Sequence, residues 1–99
     1  MDEQENSVVE SLKTRNGSEE DLVSSIDCAS VLLSLASLNP LYDILLDPAL
    51  SANVREQAAI AIRTIGPQHL ANELNALHKA QSQELRKLAE IALGLNASR

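Results

Sequence analysis

The chain has 99 residues, a net charge of −6 at pH 7, no Trp or Phe, and Tyr42 as its one aromatic side chain. A chain of this length forms one domain that buries roughly 60 to 65% of the surface its unfolded form exposes, and here the core must be aliphatic. Without aromatic platforms for stacking bases, single-stranded nucleic-acid binding is disfavoured. No apolar run approaches the roughly 20 residues that a membrane-spanning helix needs.

Cysteine usage and the start of the chain indicate a reducing compartment. The one cysteine, Cys28, has no partner for an internal disulfide. The first residues are acidic and contain no apolar run of the kind found in a signal peptide. We therefore expect a cytoplasmic protein.

Charge is divided unevenly along the chain. Residues up to Ala52 include ten acidic and two basic side chains, whereas those from Asn53 onward include four acidic and six basic ones. The acidic half repels phosphate backbones, which disfavours generic DNA binding. The second half leaves a basic surface available for an acidic partner.

Residues 1–17 are predicted to be an acidic segment with one short, weakly held helix. Apolar side chains recur there at near-helical spacing, and Asn16-Gly17 is typical of a helix end. Ser18 and the three acidic residues after it form an N-terminal cap. This cap predicts a long second helix that ends before Asn39-Pro40, with Asn39 capping the third helix and Pro40 in its first turn.

The predicted second helix has one apolar stripe and one polar strip. The stripe consists of Leu22, Ile26, Ala29, Leu33 and Ala36, and the strip consists of Asp27, Ser30, Ser34 and Ser37. Val31, Leu35 and Leu38 lie off the stripe, so we expect the second half of this helix to be covered on two sides.

Four further helices follow from turn residues and apolar spacing. Asp47-Pro48 ends the third helix, and Gly66-Pro67 ends a fourth that contains residues 54–65. A fifth helix is predicted from Pro67 to near Lys79, and a sixth ends at Gly94. Because no stretch alternates between apolar and polar residues with period two, the prediction is an all-α chain of three consecutive hairpins.

A repeat with a period of about 31 residues underlies this pattern, because Val54–Gly66 recurs in weaker form at Leu85–Leu93. A period of this length indicates stacked helical hairpins. Residues 41–66 read Leu-x-x-x-Leu-Leu-Asp-Pro, a loop, then Val-Arg-Glu-x-Ala-Ala-x-Ala-Ile-x-x-Ile-Gly, which resembles a HEAT repeat. Residues 69–95 resemble it more loosely, and the most similar subgroup is the phycobilisome-lyase HEAT-like repeats.

The resemblance implies a right-handed α-α superhelix over residues 18–96, followed by a loose tail at 97–99. It also implies a hydrogen-bonded ladder between an Asp and an Arg about six residues apart, whereas Asp47 and Arg55 are eight apart. HEAT arrays are mostly binding scaffolds, so the function we expect is non-catalytic protein-protein interaction. A subunit of a complex that attaches or removes a bilin, and a nucleic-acid-binding array, remain alternatives.

Two sets of side chains are candidates for partner binding. Stacking of the hairpins aligns a basic strip suited to an acidic protein surface, although Arg55 could instead serve the Asp47 ladder. The strip consists of Arg55, Arg63, Arg86 and Lys87. Ile91 and Leu95 lie on the side of the last helix equivalent to Ile60 but have no following hairpin to cover them. This predicts either a homodimer through the last helix or docking onto a larger protein, the alternative being a C-terminal tail that folds back over them.

No cofactor, metal site or catalytic group is predicted. His69 and His78 are nine helical positions apart, so they point to opposite faces of a helix. His69 and Glu73 together offer two metal ligands, and nothing supplies a third. Cys28 has no basic neighbour, which is typical of a packed, inert thiol.

Overall fold

A computed structural model of the chain describes residues 3–14 and 18–94, and every regular element in these ranges is helical. The α-helices are α1 (Glu3–Thr14), α2 (Glu19–Leu32), α3 (Leu38–Leu46), α4 (Ala52–Ile65), α5 (Ala71–His78) and α6 (Gln83–Leu93). Short 3₁₀ turns at Leu35–Ser37 and Pro67–Leu70 precede α3 and α5. The all-α prediction is confirmed. Among the described helices, none combines the length and apolar character required to cross a membrane.

Successive helices pack as the pairs α1/α2, α3/α4 and α5/α6, and α4 also contacts α2 on one side and α6 on the other. The Ser51 N–H donates to the Glu19 carboxylate at 3.1 Å, which brings the starts of α2 and α4 together. An Arg55–Glu84 ion pair does the same for α4 and α6. The second helices of the three pairs therefore lie side by side and run in the same direction, with α4 in the middle.

Each of these second helices begins with a serine cap. Ser18, Ser51 and Ser82 accept hydrogen bonds from the backbone N–H groups three residues later, at 3.3, 3.4 and 3.3 Å. The cap satisfies one of the N–H groups that a helix leaves unpaired at its start. The serines are 33 and 31 positions apart in the sequence. The second helix of each pair is therefore capped in the same way.

The core is aliphatic and includes residues from all six α-helices. Its largest fully buried aliphatic side chains are Leu12, Ile26, Leu41, Ile44, Leu45, Val54, Ile62 and Leu74. Because α1 contributes Val8 and Leu12 to this core, the short N-terminal helix is packed against the rest of the molecule rather than loosely held.

The predicted long second helix is wrong, because α2 ends at Leu32. Leu33 adopts the left-handed conformation, with φ 51° and ψ 47°, and its N–H bonds back to the carbonyls of Ala29 and Ser30. The helix thus ends without the glycine or proline that would reveal its end in the sequence. The third helix begins two residues early, at Leu38, with Ser37 rather than Asn39 at the cap position.

Burial in this segment is the reverse of the expected pattern. Val31, Leu33 and Leu35 are 82%, 57% and 55% exposed. Ser34 and Ser37 are buried, and the Ser37 hydroxyl donates to that of Ser34 at 3.0 Å. The left-handed Leu33 takes the side chains that follow it out of the helical register of α2, which accounts for Ser34, Leu35 and Ser37. Val31 precedes Leu33 and lies on the exposed side of α2.

Candidate protein-binding face

The layer of second helices has one side turned away from α1, α3 and α5, and we call this side the open face. Exposed side chains three, four or seven positions apart share one side of a helix. Those on the open face are Glu20, Ser24, Asp27 and Val31 on α2, Asn53, Ile60 and Arg63 on α4, and Gln83 and Lys87 on α6.

Two grooves lie on this face, one on each side of the start of α4. The groove between α4 and α6 has a volume of about 360 Å³ and is lined by residues that include Glu56 and Lys87. The groove between α2 and α4 has a volume of about 280 Å³ and is lined in part by Glu20 and Asn53. Ile60 lies farther along the α4 ridge that separates them and is 36% exposed. Ile60 is thus an aliphatic side chain on a helix face that otherwise exposes polar residues such as Asn53 and Arg63.

Arg55 is buried in the wall of the groove between α4 and α6, although the sequence placed it among the exposed cations of the basic strip. It is 4% exposed, and its Nε donates to the Leu45 carbonyl at 2.8 Å. Its Nη1 pairs with Glu84. Arg55 therefore ties α4 to the end of α3 and the start of α6. Its position beside Val54 and Ala58 on the buried arc of α4 explains this placement.

The other three cations of the predicted strip are exposed, but they do not form a single line. Lys87 borders the groove between α4 and α6. Arg86 is rotated by about 100° around the helix, on the side of α6 away from that groove. Arg63 lies at the other end of α4, next to Gly94. A Cβ atom added to Gly94 would be 3.5 Å from the Arg63 Cδ. None of the three takes part in an ion pair within the described ranges.

The aliphatic edge predicted on the last helix is not exposed at Ile91. That side chain is 7% exposed and belongs to the core. Because α6 contacts both α4 and α5, its buried arc is wide enough to include Ile91 as well as Leu88 and Ala92. Leu95 lies outside the described residues. Ile91 is therefore not available for the homodimer contact that the sequence predicted through these two side chains.

The histidines and the cysteine form no cluster. His78 Nε2 lies 3.1 Å from the Glu90 carboxylate, and His69 is exposed elsewhere. The described residues contain no group of three side chains placed to hold a metal ion. Cys28 is exposed rather than packed, which corrects the expectation from the sequence.

Tyr42 links the first helices of the last two pairs. Its hydroxyl donates to the Glu73 carbonyl on α5 at 3.4 Å. Burial raises the pKa of the Tyr42 phenol above its ordinary value, and the nearby Glu73 carboxylate adds to this increase. Both effects disfavour the tyrosinate, so Tyr42 acts as a packing and hydrogen-bonding residue on the side opposite the open face.

Fold and face together define the protein as an all-α stack of helical hairpins with one open, grooved side. Comparison with protein-family models, curated proteins and solved structures found no match. The HEAT-like interpretation therefore depends on the sequence pattern of residues 41–66 and on the packing of the hairpins.

Proposed function

We propose that this protein is a non-catalytic, HEAT-like module that binds another protein through the open face of α2, α4 and α6. In this proposal the three hairpins form a short right-handed α-α superhelix. The observation that carries the proposal is the pair of grooves that flank the start of the central helix, with the exposed Ile60 farther along the same helix.

Three features support the HEAT-like part of the proposal. The second helices run in the same direction in one layer, as stacked repeats require. Each begins at a serine cap, and the caps recur every 31 to 33 residues. Arg55, in the most HEAT-like hairpin, holds the end of α3 and the start of α6.

Binding would combine an apolar anchor with charge that orients the partner. Ile60 and the groove walls provide the apolar contact, and a few well-packed anchors carry most of the energy in protein interfaces. Lys87 and Arg63 are exposed and unpaired within the described ranges, so they are available to acidic side chains. Charges at the rim of an interface mainly affect the association rate and its salt dependence. The expected partner is a protein surface with carboxylates around an apolar patch.

Cys28 provides a direct test, because it is the only cysteine and is exposed on α2 beside the open face. A photo-crosslinker attached to Cys28 should capture a protein from an extract of the source cells. The matched control is Cys28→Ser combined with Asn75→Cys, which moves the label to an exposed site on α5. This control should capture much less of the same protein.

Charge variants then identify which side of the face contributes. Lys87→Glu should weaken binding of the captured protein about tenfold, corresponding to about 1.4 kcal/mol. Arg86→Glu makes the same charge change on the neighbouring residue, away from the groove, and should have a smaller effect. Equal labelling from both cysteine positions, or capture of nucleic acid in place of protein, would contradict the proposal.

A further inference from the structure

A second surface lies at the end of α2 and shares only Val31 with the open face of the proposed function. Val31, Leu33 and Leu35 are 82%, 57% and 55% exposed, and they are the three most exposed large apolar side chains in the described residues. All three lie within five positions of one another. We call these three residues the apolar segment.

The backbone of the apolar segment takes a conformation that disfavours its own side chains. Leu33 is the only non-glycine residue with positive φ in the described ranges, and a left-handed conformation is unfavourable for leucine. The same turn buries Ser34 and Ser37 while leucines remain in water. A glycine at position 33 would form the turn without strain and without exposing an apolar side chain. The leucine therefore points to a role outside the folding of a single chain.

The residues that flank the apolar segment in the sequence carry no charge. Residues 28–42 include no Asp, Glu, Lys or Arg, and this is the longest such stretch in the sequence. Of these residues, Cys28, Val31, Leu33, Leu35, Ala36 and Asn39 are exposed. The whole chain carries a charge of −6, so two copies repel each other over most of their surface.

We propose that the apolar segment is covered by the same segment of a second copy, in a two-fold symmetric dimer. A two-fold contact places each patch against itself, so a charged patch brings like charges together and an uncharged one does not. The apolar segment meets this condition, and it offers no charge that would select a charged partner. The second copy supplies the apolar surface that the exposed leucines need.

The dimer should be weak and concentration-dependent. The exposed side chains around the apolar segment are far fewer than the roughly 20 to 30 residues per partner of a stable complex. Sedimentation equilibrium from micromolar to millimolar protein should therefore show a reversible monomer-dimer transition. A mass that stays monomeric over this whole range would overturn the proposal.

The variant that tests the surface is Leu33→Gly with Leu35→Asn. Glycine suits the left-handed residue, and both positions are exposed, so the fold is retained, which thermal unfolding verifies. The dimer dissociation constant should rise about tenfold or more. The matched control is Leu46→Asn, which removes a 36% exposed leucine at the far end of α3 and should leave the constant unchanged. A constant that is the same for native protein and the double variant rules out this surface.

Salt and cross-linking provide independent measurements. An apolar contact is maintained or strengthened by sulfate, whereas an ion-paired contact weakens as salt screens it. Cys28 lies three positions before Val31 on the same side of α2, so a short bis-maleimide should join two Cys28 side chains across the dimer. That product should be lost in the Leu33→Gly/Leu35→Asn variant and retained in Leu46→Asn. Dissociation by salt, or cross-linking that is equal in both variants, contradicts the proposal.

Discussion

The helix α4 and the segment from Val31 to Ser37 show opposite relations between sequence and burial. On α4 the apolar side chains at helical spacing, Val54, Ala58, Ala61 and Ile62, are all buried, and Ala58 and Ile62 are fully enclosed. In the segment, leucines expected to be covered lie in water and serines expected to be exposed are inside.

The difference arises from what surrounds each piece. α4 contacts α2, α3 and α6, so packing on three sides holds it in one helical register. The segment contains a single left-handed residue between two helices. One changed backbone conformation is enough to rotate every later side chain away from its predicted direction. Periodicity therefore reports burial only within a continuous helix.

The largest expected effect compares two isoleucines on α4. Ile62 is fully buried, so Ile62→Ala should lower the free energy of unfolding by about 3 kcal/mol through lost burial and a cavity. Ile60 is 36% exposed, and Ile60→Ala should cost less than about 1 kcal/mol. Urea unfolding followed by circular dichroism measures both. Similar losses for the two variants would mean that Ile60 belongs to the core rather than to the open face.

A second comparison separates the buried arginine of α4 from the exposed one. Arg55→Ala should cost about 2 kcal/mol, because it removes a packed stem and leaves the Leu45 carbonyl without its donor. Arg63→Ala should change stability by no more than about 0.5 kcal/mol. Thermal unfolding of the two variants at equal salt provides the measurement. The interior role of Arg55 is wrong if its removal is as mild as that of Arg63.

The conformation of the segment can be tested by placing glycine at two adjacent positions. Leu33→Gly relieves the left-handed residue and should raise the free energy of unfolding by about 0.5 kcal/mol, after allowing for glycine's freedom in the unfolded chain. Leu32→Gly lies in the last turn of α2 and should lower it by about 1 kcal/mol. Chemical unfolding distinguishes the two signs. A loss at position 33 would show that its side chain contributes more to packing than its backbone costs.

The smallest expected effect is the alkaline titration of Tyr42. Its pKa in the folded protein is raised above the ordinary value of 10.0, first by burial and then by Glu73. The protonated Tyr42 therefore contributes to the free energy of unfolding below pH 10, and this contribution is lost as the pH rises through the pKa of the folded protein. Since Tyr42 is the only tyrosine, the absorbance of tyrosinate reports it alone. As the pH rises above 10, the Tyr42→Phe variant should lose less free energy of unfolding than the native chain. A tyrosinate titration midpoint at or below 10.0 would contradict the raised pKa.

Much of the fold could be predicted from residues with strong local effects. Ser18 marked the start of α2, Gly66-Pro67 marked the end of α4, and the 31-residue repeat indicated consecutive hairpins. The candidate site was harder to predict. Lys87 and Arg63 are exposed as expected, whereas Arg55 and Ile91 are buried, because a helical wheel does not show how many neighbours a helix has.

The sequence by itself determined that the protein is helical, that its core is aliphatic and that its charge changes sign along the chain. These properties follow from composition and short-range spacing. Only the tertiary structure decided that α2 ends at Leu32, that Arg55 bonds to Leu45 and Glu84, and that Ile91 is covered. Each of these depends on contacts between residues that are distant in the chain or on one backbone conformation that leucine seldom adopts. Local residue patterns carry no signal for either.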